Sequence, residues 1–169
     1  MPDIDQPLPN SSQVLKLSPF ERVNNRDRFL LLLVAFGLAI LISAASYPGY
    51  MSFDSVETLR QARGAVEGSQ YPPFGSYVWR VFDFIWPGPT LMQFVQNCLL
   101  LVSFACLIAR TRLPVIFLIA CVCGFAFVPP LFGTMIVVWK DVAVAACYMA
   151  ALAFLASGRS ERWPQMRTY

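Results

Sequence analysis

The chain has 169 residues, of which 57% are hydrophobic and only 14% charged, with a net charge of +3 and no histidine. A soluble domain carries about 25% charged residues, so this composition points to lipid as the surrounding medium. The modest charge lacks the basic patch that nucleic acid requires, and the missing histidine excludes His-based triads, HExxH zinc sites and haem ligation through His.

Residues 1–28 hold four prolines within the first nineteen positions and show no apolar periodicity, which predicts a disordered tail. The first uncharged run follows at 29–45. It is long for a signal-peptide core and no small-x-small cleavage site follows it cleanly, so it reads as a retained anchor. Further uncharged runs occupy 90–109, 113–128 and 142–156. At 1.5 Å per residue each comes close to the ~30 Å of hydrocarbon in a bilayer. Backbone in lipid must satisfy its own hydrogen bonds, so all four are predicted to be transmembrane helices. The expected fold is therefore all-α: a polytopic membrane helical bundle of four spans over residues 29–157, with short interfacial helices in the first outer loop and a second tail at 158–169.

Lys16, Arg22, Arg26 and Arg28 precede the first run, Arg110 and Arg112 separate the second from the third, and Arg159, Arg162 and Arg167 follow the fourth. Placing all three groups in the cytoplasm satisfies the positive-inside rule and puts both termini there. The opposite face then receives 46–89 and 129–141.

The outer loop 46–89 is too long for a plain helix–helix connection. It opens with a Tyr47-Pro48-Gly49-Tyr50 turn. A short helix is expected next, started by Asp54 and closed by Gly64. Glu57 stands at capping-box spacing from Asp54. Two readings stay open for these acids: a helix cap, or a carboxylate held just outside the membrane as a general base. Arg60 and Arg63 lie on the same segment. A second interfacial helix is expected between Tyr71-Pro72-Pro73 and Trp86-Pro87, rich in aromatics, with Arg80 and Asp83 spaced to pair.

Gln93, Gln96 and Asn97 form a polar stripe near the outer end of the second span. Either they bond neighbouring helices or they floor a polar site beneath the outer loop. Cys98, Cys106, Cys121, Cys123 and Cys147 lie in apolar runs without metal or redox spacing and read as packing residues. Segment 129–141 begins with Pro129-Pro130 and ends with Trp139-Lys140-Asp141. It is too short to span, so it is expected to be re-entrant or to lie flat. Lys140 either snorkels beside an Asp141 cap or binds an anionic headgroup or phosphate.

Taken together, Tyr47-Pro48-Gly49-Tyr50-Met51-Ser52-Phe53-Asp54-Ser55, Tyr71-Pro72-Pro73-Phe74 and Trp139-Lys140-Asp141 resemble the N-terminal part of bacterial GT-C-type multi-pass membrane glycosyltransferases. The resemblance implies a bacterial inner-membrane enzyme that takes a sugar from a polyprenyl-phosphate donor on the periplasmic face. It implies an acidic base in the first outer loop, which falls on Asp54 with Glu57 beside it. It also implies a basic group for the donor phosphate, for which Lys140 is the first choice and Arg60, Arg63 and Arg80 are further ones, with Gln93, Gln96 and Asn97 as polar contacts. No cofactor is expected, and nothing in the pattern sets the need for a divalent metal. Members of this superfamily carry more than four spans, so the expected form is an N-terminal portion, or a chain that works with a further membrane subunit. The competing reading is a small non-catalytic membrane scaffold. Transport is least supported, since no span carries a central charge. An enzyme would gather Asp54, Arg60 or Arg63, Gln93 and Lys140 around one outward-facing cavity, and a scaffold would leave them scattered, each satisfied by its own local cap or pair.

Overall fold

The computed structural model describes residues 24–64, 73–111 and 113–162. The elements run α1 (Asn25–Ala45), β1 (Tyr50–Met51), α2 (Phe53–Ala62), α3 (Pro73–Ile85), α4 (Thr90–Ile108), α5 (Val115–Phe127), α6 (Pro129–Met135), β2 (Val137–Val138) and α7 (Lys140–Arg162). Three helices are long and apolar enough to cross a membrane, namely α1, α4 and the Lys140–Ser157 part of α7.

The expected third span, 113–128, differs in form. α5 is only 13 residues, about 20 Å, and cannot cross alone. It joins α6 at a 69° bend, and only the bent pair together has the length of a crossing. Pro129 and Pro130 cause the bend. A residue before proline is driven out of the helical region, and Val128 sits at φ −59°, ψ 123°.

The element boundaries shift elsewhere too. α1 takes in residues 25–28, which had been assigned to the first tail, because nothing there breaks a helix. α7 likewise continues to Arg162, past the expected end at 157. Residues 1–23 and 163–169, and with them most of both predicted tails, lie outside the described residues, as do Tyr71 and Pro72.

α4 is the centre of the bundle, packed between α1 and α7. α1 presents Leu31, Ala35, Ala39 and Ile42 at three- and four-residue spacing, all buried, against Leu100, Leu101 and Ala105 of α4 and Leu118, Val122 and Ala126 of α5. Lipid tails are as apolar as leucine, so close packing has to supply the association. The alanines at 35, 39, 105, 126 and 146 permit that approach. Phe104 and Phe125 stack at 4.1 Å between α4 and α5.

One feature departs from an all-α fold: β1 and β2 pair in parallel, Tyr50 with Val137 and Met51 with Val138. A two-residue ladder between segments nearly ninety positions apart leaves no local trace in a sequence. It fixes the outer loop to the α6–α7 connection.

Two ends of the bundle carry different charge. At one, Arg110 donates to the Ala156 carbonyl, which joins the end of α4 to α7. At the other lie the outer-loop helices and the β ladder.

Gly49 has φ +106°, and a Cβ placed there would sit 2.5 Å from the Gln93 amide oxygen. Gly64 has φ +75° with open space around it. Gly64→Ala should therefore cost about 1 kcal/mol of backbone strain. Gly49→Ala should cost roughly 3 kcal/mol, because it also displaces Gln93. Reversible unfolding in detergent micelles measures both.

Candidate functional site

α2 begins at Ser52, whose hydroxyl accepts the Ser55 N–H at 3.3 Å. The predicted Asp54 cap is corrected on this point. Ser52 takes that job because its side chain stands at the true N-cap, and Asp54 inside the first turn is left for another partner. That partner is Lys140, whose Nζ lies 3.2 Å from Asp54 Oδ2. The pair joins the start of α2 to the start of α7, 86 positions apart in sequence, and both side chains are partly exposed. Glu57 does not close a capping box. It faces Arg60 at 3.8 Å, a loose surface pair of small worth.

The Asp54–Lys140 pair stands at the mouth of a cavity of about 760 Å³ between α2, α3, α4 and α7. α7 lines it with Lys140, Ala143, Val144, Cys147, Tyr148 and Ala151. That spacing is one face of a helix, and it runs about 16 Å from Lys140, roughly half the depth of a bilayer. Phe74, Val78 and Phe82 of α3 and Val95 and Leu99 of α4 supply the facing wall. The charged groups, Asp54, Lys140 and Asp141, all belong to the mouth; below them the lining is almost entirely apolar. The shape suits an amphiphile: a charged head at the mouth and a hydrocarbon tail beside α7.

The polar stripe of α4 serves the hairpin that carries Lys140. Gln93 Nε2 donates to the Met135 carbonyl at 3.0 Å and to Ser46 Oγ at 2.6 Å. Asn97 Nδ2 donates to the same carbonyl at 3.0 Å and to Ser43 Oγ at 3.2 Å. Gln96 Nε2 reaches the Val137 carbonyl at 3.4 Å. Gln93 and Asn97 are wholly buried. Only Gln96 also borders the cavity. Each amide turns its N–H side to a carbonyl, and its own oxygen is then buried without a protein partner. Of the two readings open for this stripe, the observed contacts match bonding within the bundle.

Arg60 and Arg63 lie away from the cavity lining. The expected Arg80–Asp83 pair is corrected: Asp83 instead takes a two-pronged bond from Arg63, Nε at 2.8 Å and Nη2 at 2.7 Å, across the α2–α3 gap. The fork geometry of a guanidinium arriving from the next element outcompetes a neighbour on the same helix. Asp83 also accepts the Gly88 N–H at 2.8 Å. The Arg63 bonds, with help from Gly88, hold the Asp83 carboxyl below its usual range, and Asp83 in turn raises Arg63.

Ser55 escaped notice in the sequence. Its buried hydroxyl donates to the Val138 carbonyl, which ties α2 to the strand before Lys140. The apolar lining of α7 was equally silent, since each residue by itself reads as lipid-facing. The repeat of small residues at 143, 147 and 151 on the Lys140 face was the available signal. Among the described residues no cluster of His, Cys, Asp or Glu could hold a metal ion.

Compared with models of known families, with characterised proteins and with solved structures, the chain matches none.

Two outcomes follow from this geometry. Gln93→Leu or Asn97→Leu alone leaves one donor on the Met135 carbonyl and should cost about 1 kcal/mol. The double variant strands that carbonyl and should cost clearly more than the sum, as measured by a double-mutant unfolding cycle. The Arg63–Asp83 bond should respond to acid. A carboxyl with a depressed folded pKa contributes stability above the unfolded value of about 3.9 and loses it as pH falls through the folded value. Hydrogen exchange of the Gly88 amide should thus lose protection with acidification in the wild type and stay flat in Asp83→Asn, once intrinsic exchange is divided out. Equal profiles would contradict the assignment.

Proposed function

We propose that the chain is a GT-C-like membrane glycosyltransferase, or the N-terminal part of one, transferring a sugar from a polyprenyl-phosphate donor at the periplasmic face of a bacterial inner membrane. One observation carries the reading: a carboxylate and an ammonium 3.2 Å apart at the mouth of an apolar groove of about 760 Å³. A polyprenyl phosphate has the matching form, with an anionic head on a long branched hydrocarbon.

In this reading the isoprenoid lies along the α7 face below Lys140. Lys140 offsets the charge of the phosphate as it leaves. Asp54 accepts the proton of the acceptor hydroxyl while that oxygen attacks the anomeric carbon and the bond from that carbon to the phosphate oxygen breaks. Lys140 pairs with Asp54 in the absence of donor, so donor binding transfers the ammonium from carboxylate to phosphate and releases the base. Arg60, Arg63, Gln93 and Asn97 take no part in the chemistry, since their contacts are to other groups.

The orientation follows from the positive-inside rule. Arg26, Arg28 and Arg110 occupy the end of the bundle opposite Asp54 and Lys140; in this reading that end is cytoplasmic, as are both termini, and the site faces the other side. The partners are membrane lipid, the polyprenyl-phosphate donor and a further membrane subunit that supplies additional helices. Of the groups that an enzyme would gather, Asp54 and Lys140 meet at the groove, while Arg60, Arg63 and Gln93 bond elsewhere.

Asp54→Asn should lower transfer by about 10²–10⁴-fold, the worth of a positioned base. Lys140→Gln should weaken donor binding as well as turnover. Membranes supplied with a polyprenyl-phosphate sugar and the partner subunit provide the assay. Wild-type transfer by the Asn variant would refute the catalytic role.

A further inference from the structure

A second cavity, about 160 Å³, opens between α2 and α3 on the outer side and is lined by Gln61, Ala62, Pro73, Ser76, Tyr77 and Arg80. Its chemistry is opposite to that of the large groove. Three of the arginine and lysine side chains described on the outer side have acidic partners: Arg60 with Glu57, Arg63 with Asp83 and Lys140 with Asp54. Arg80 makes no ion pair and no hydrogen bond among the described residues, although Asp83 lies three positions away on its own helix. The competition from Arg63 for Asp83 is what leaves it so.

The other polar groups around the cavity add donors. Ser76 Oγ donates to the Gln61 amide oxygen at 2.6 Å, which spends that oxygen and fixes which end of the amide carries the N–H groups. The two Gln61 N–H donors remain uncommitted among the described residues, as does the Tyr77 hydroxyl. Among the described residues no acid lines the cavity. A guanidinium, an amide NH₂ and a phenol around one small space form a set of donors that calls for an oxyanion.

The position is also informative. Gln61 is seven residues beyond Asp54 on α2, a step that returns to within about 20° of the same helix face, roughly 10 Å further along. Thr58 of the same face and Gly75 of α3 line the large groove, while Gln61 and Ser76 line the small one. The two cavities therefore adjoin across the α2–α3 seam.

We infer that the Gln61–Ser76–Tyr77–Arg80 cavity is a separate oxyanion-binding site that takes a phosphate-type group at the outer membrane interface. Two sources carry that chemistry there, a phospholipid headgroup and a phosphate on a water-soluble ligand. The site stands whether or not the large groove performs sugar transfer.

The full chain, purified in a neutral maltoside detergent with ring-labelled tyrosine, allows the test. The Tyr77 resonance, assigned by its loss in Tyr77→Phe, is followed while inorganic phosphate or, separately, phosphatidylglycerol is added. The expected result is a saturable shift with at least one probe, weakened about tenfold or more by Arg80→Gln and by Gln61→Leu, and kept by Lys140→Gln. Response to inorganic phosphate identifies a soluble ligand as competent. Response to phosphatidylglycerol alone identifies the headgroup as the source. A Tyr77 signal unmoved by both probes, or a shift as strong in Arg80→Gln as in the wild type, overturns the assignment. Because the readout is binding and not transfer, an inactive chain that still binds phosphate sinks the enzyme reading without touching this one.

Discussion

Four consecutive carbonyl oxygens, from Met135 to Val138, leave the helical pattern inside the bundle, and each receives a donor from another element. Met135 is served by Gln93 and Asn97, Ile136 by the Tyr50 N–H, Val137 by Gln96 and Val138 by Ser55. Backbone that is not helical cannot face hydrocarbon, since each unsatisfied group costs several kcal/mol. It persists only where protein supplies the missing partners. This requirement explains why α4, an otherwise apolar helix, carries three amides on adjacent faces, and why a serine follows Asp54.

The same requirement positions the chemistry. Lys140 begins α7 two residues after β2, and Asp54 lies in the first turn of α2, three residues after β1. Pairing the two strands and bonding Ser55 to Val138 thereby brings the two charged residues together. The Asp54–Lys140 contact is thus a consequence of backbone bookkeeping in a dry environment. Salt bridges that are partly exposed contribute little to stability, so the ladder and the Ser55 bond hold this region together more than the pair does.

Two cavities of different lining adjoin on this scaffold. The groove beside α7 is apolar with charge only at its mouth, and the proposed lipid-linked donor fits that profile. The smaller cavity is lined by donors and offers no tail groove. The outer-loop helices separate the two, and the Arg63–Asp83–Gly88 link holds α3 in place between them. That link also removes Asp83 from Arg80, so a structural contact on one side of α3 leaves a cation open to ligand on the other.

The sequence by itself determined which stretches form helices long and apolar enough to cross a membrane. Long uncharged runs can only be helices in lipid, and residues 90–108 matched their prediction almost to the residue because nothing competes with that rule. The Gly64 stop and the Pro129-Pro130 break were also legible, since a positive φ and a missing N–H are local properties of the residues themselves. What only the tertiary structure decided is everything that depends on long-range pairing: the parallel ladder, the choice of Arg63 over Arg80, and the meeting of Asp54 with Lys140. Local propensity has no term for a partner more than eighty residues away. Such contacts are set by the single arrangement in which every buried carbonyl of the 135–138 hairpin finds a donor.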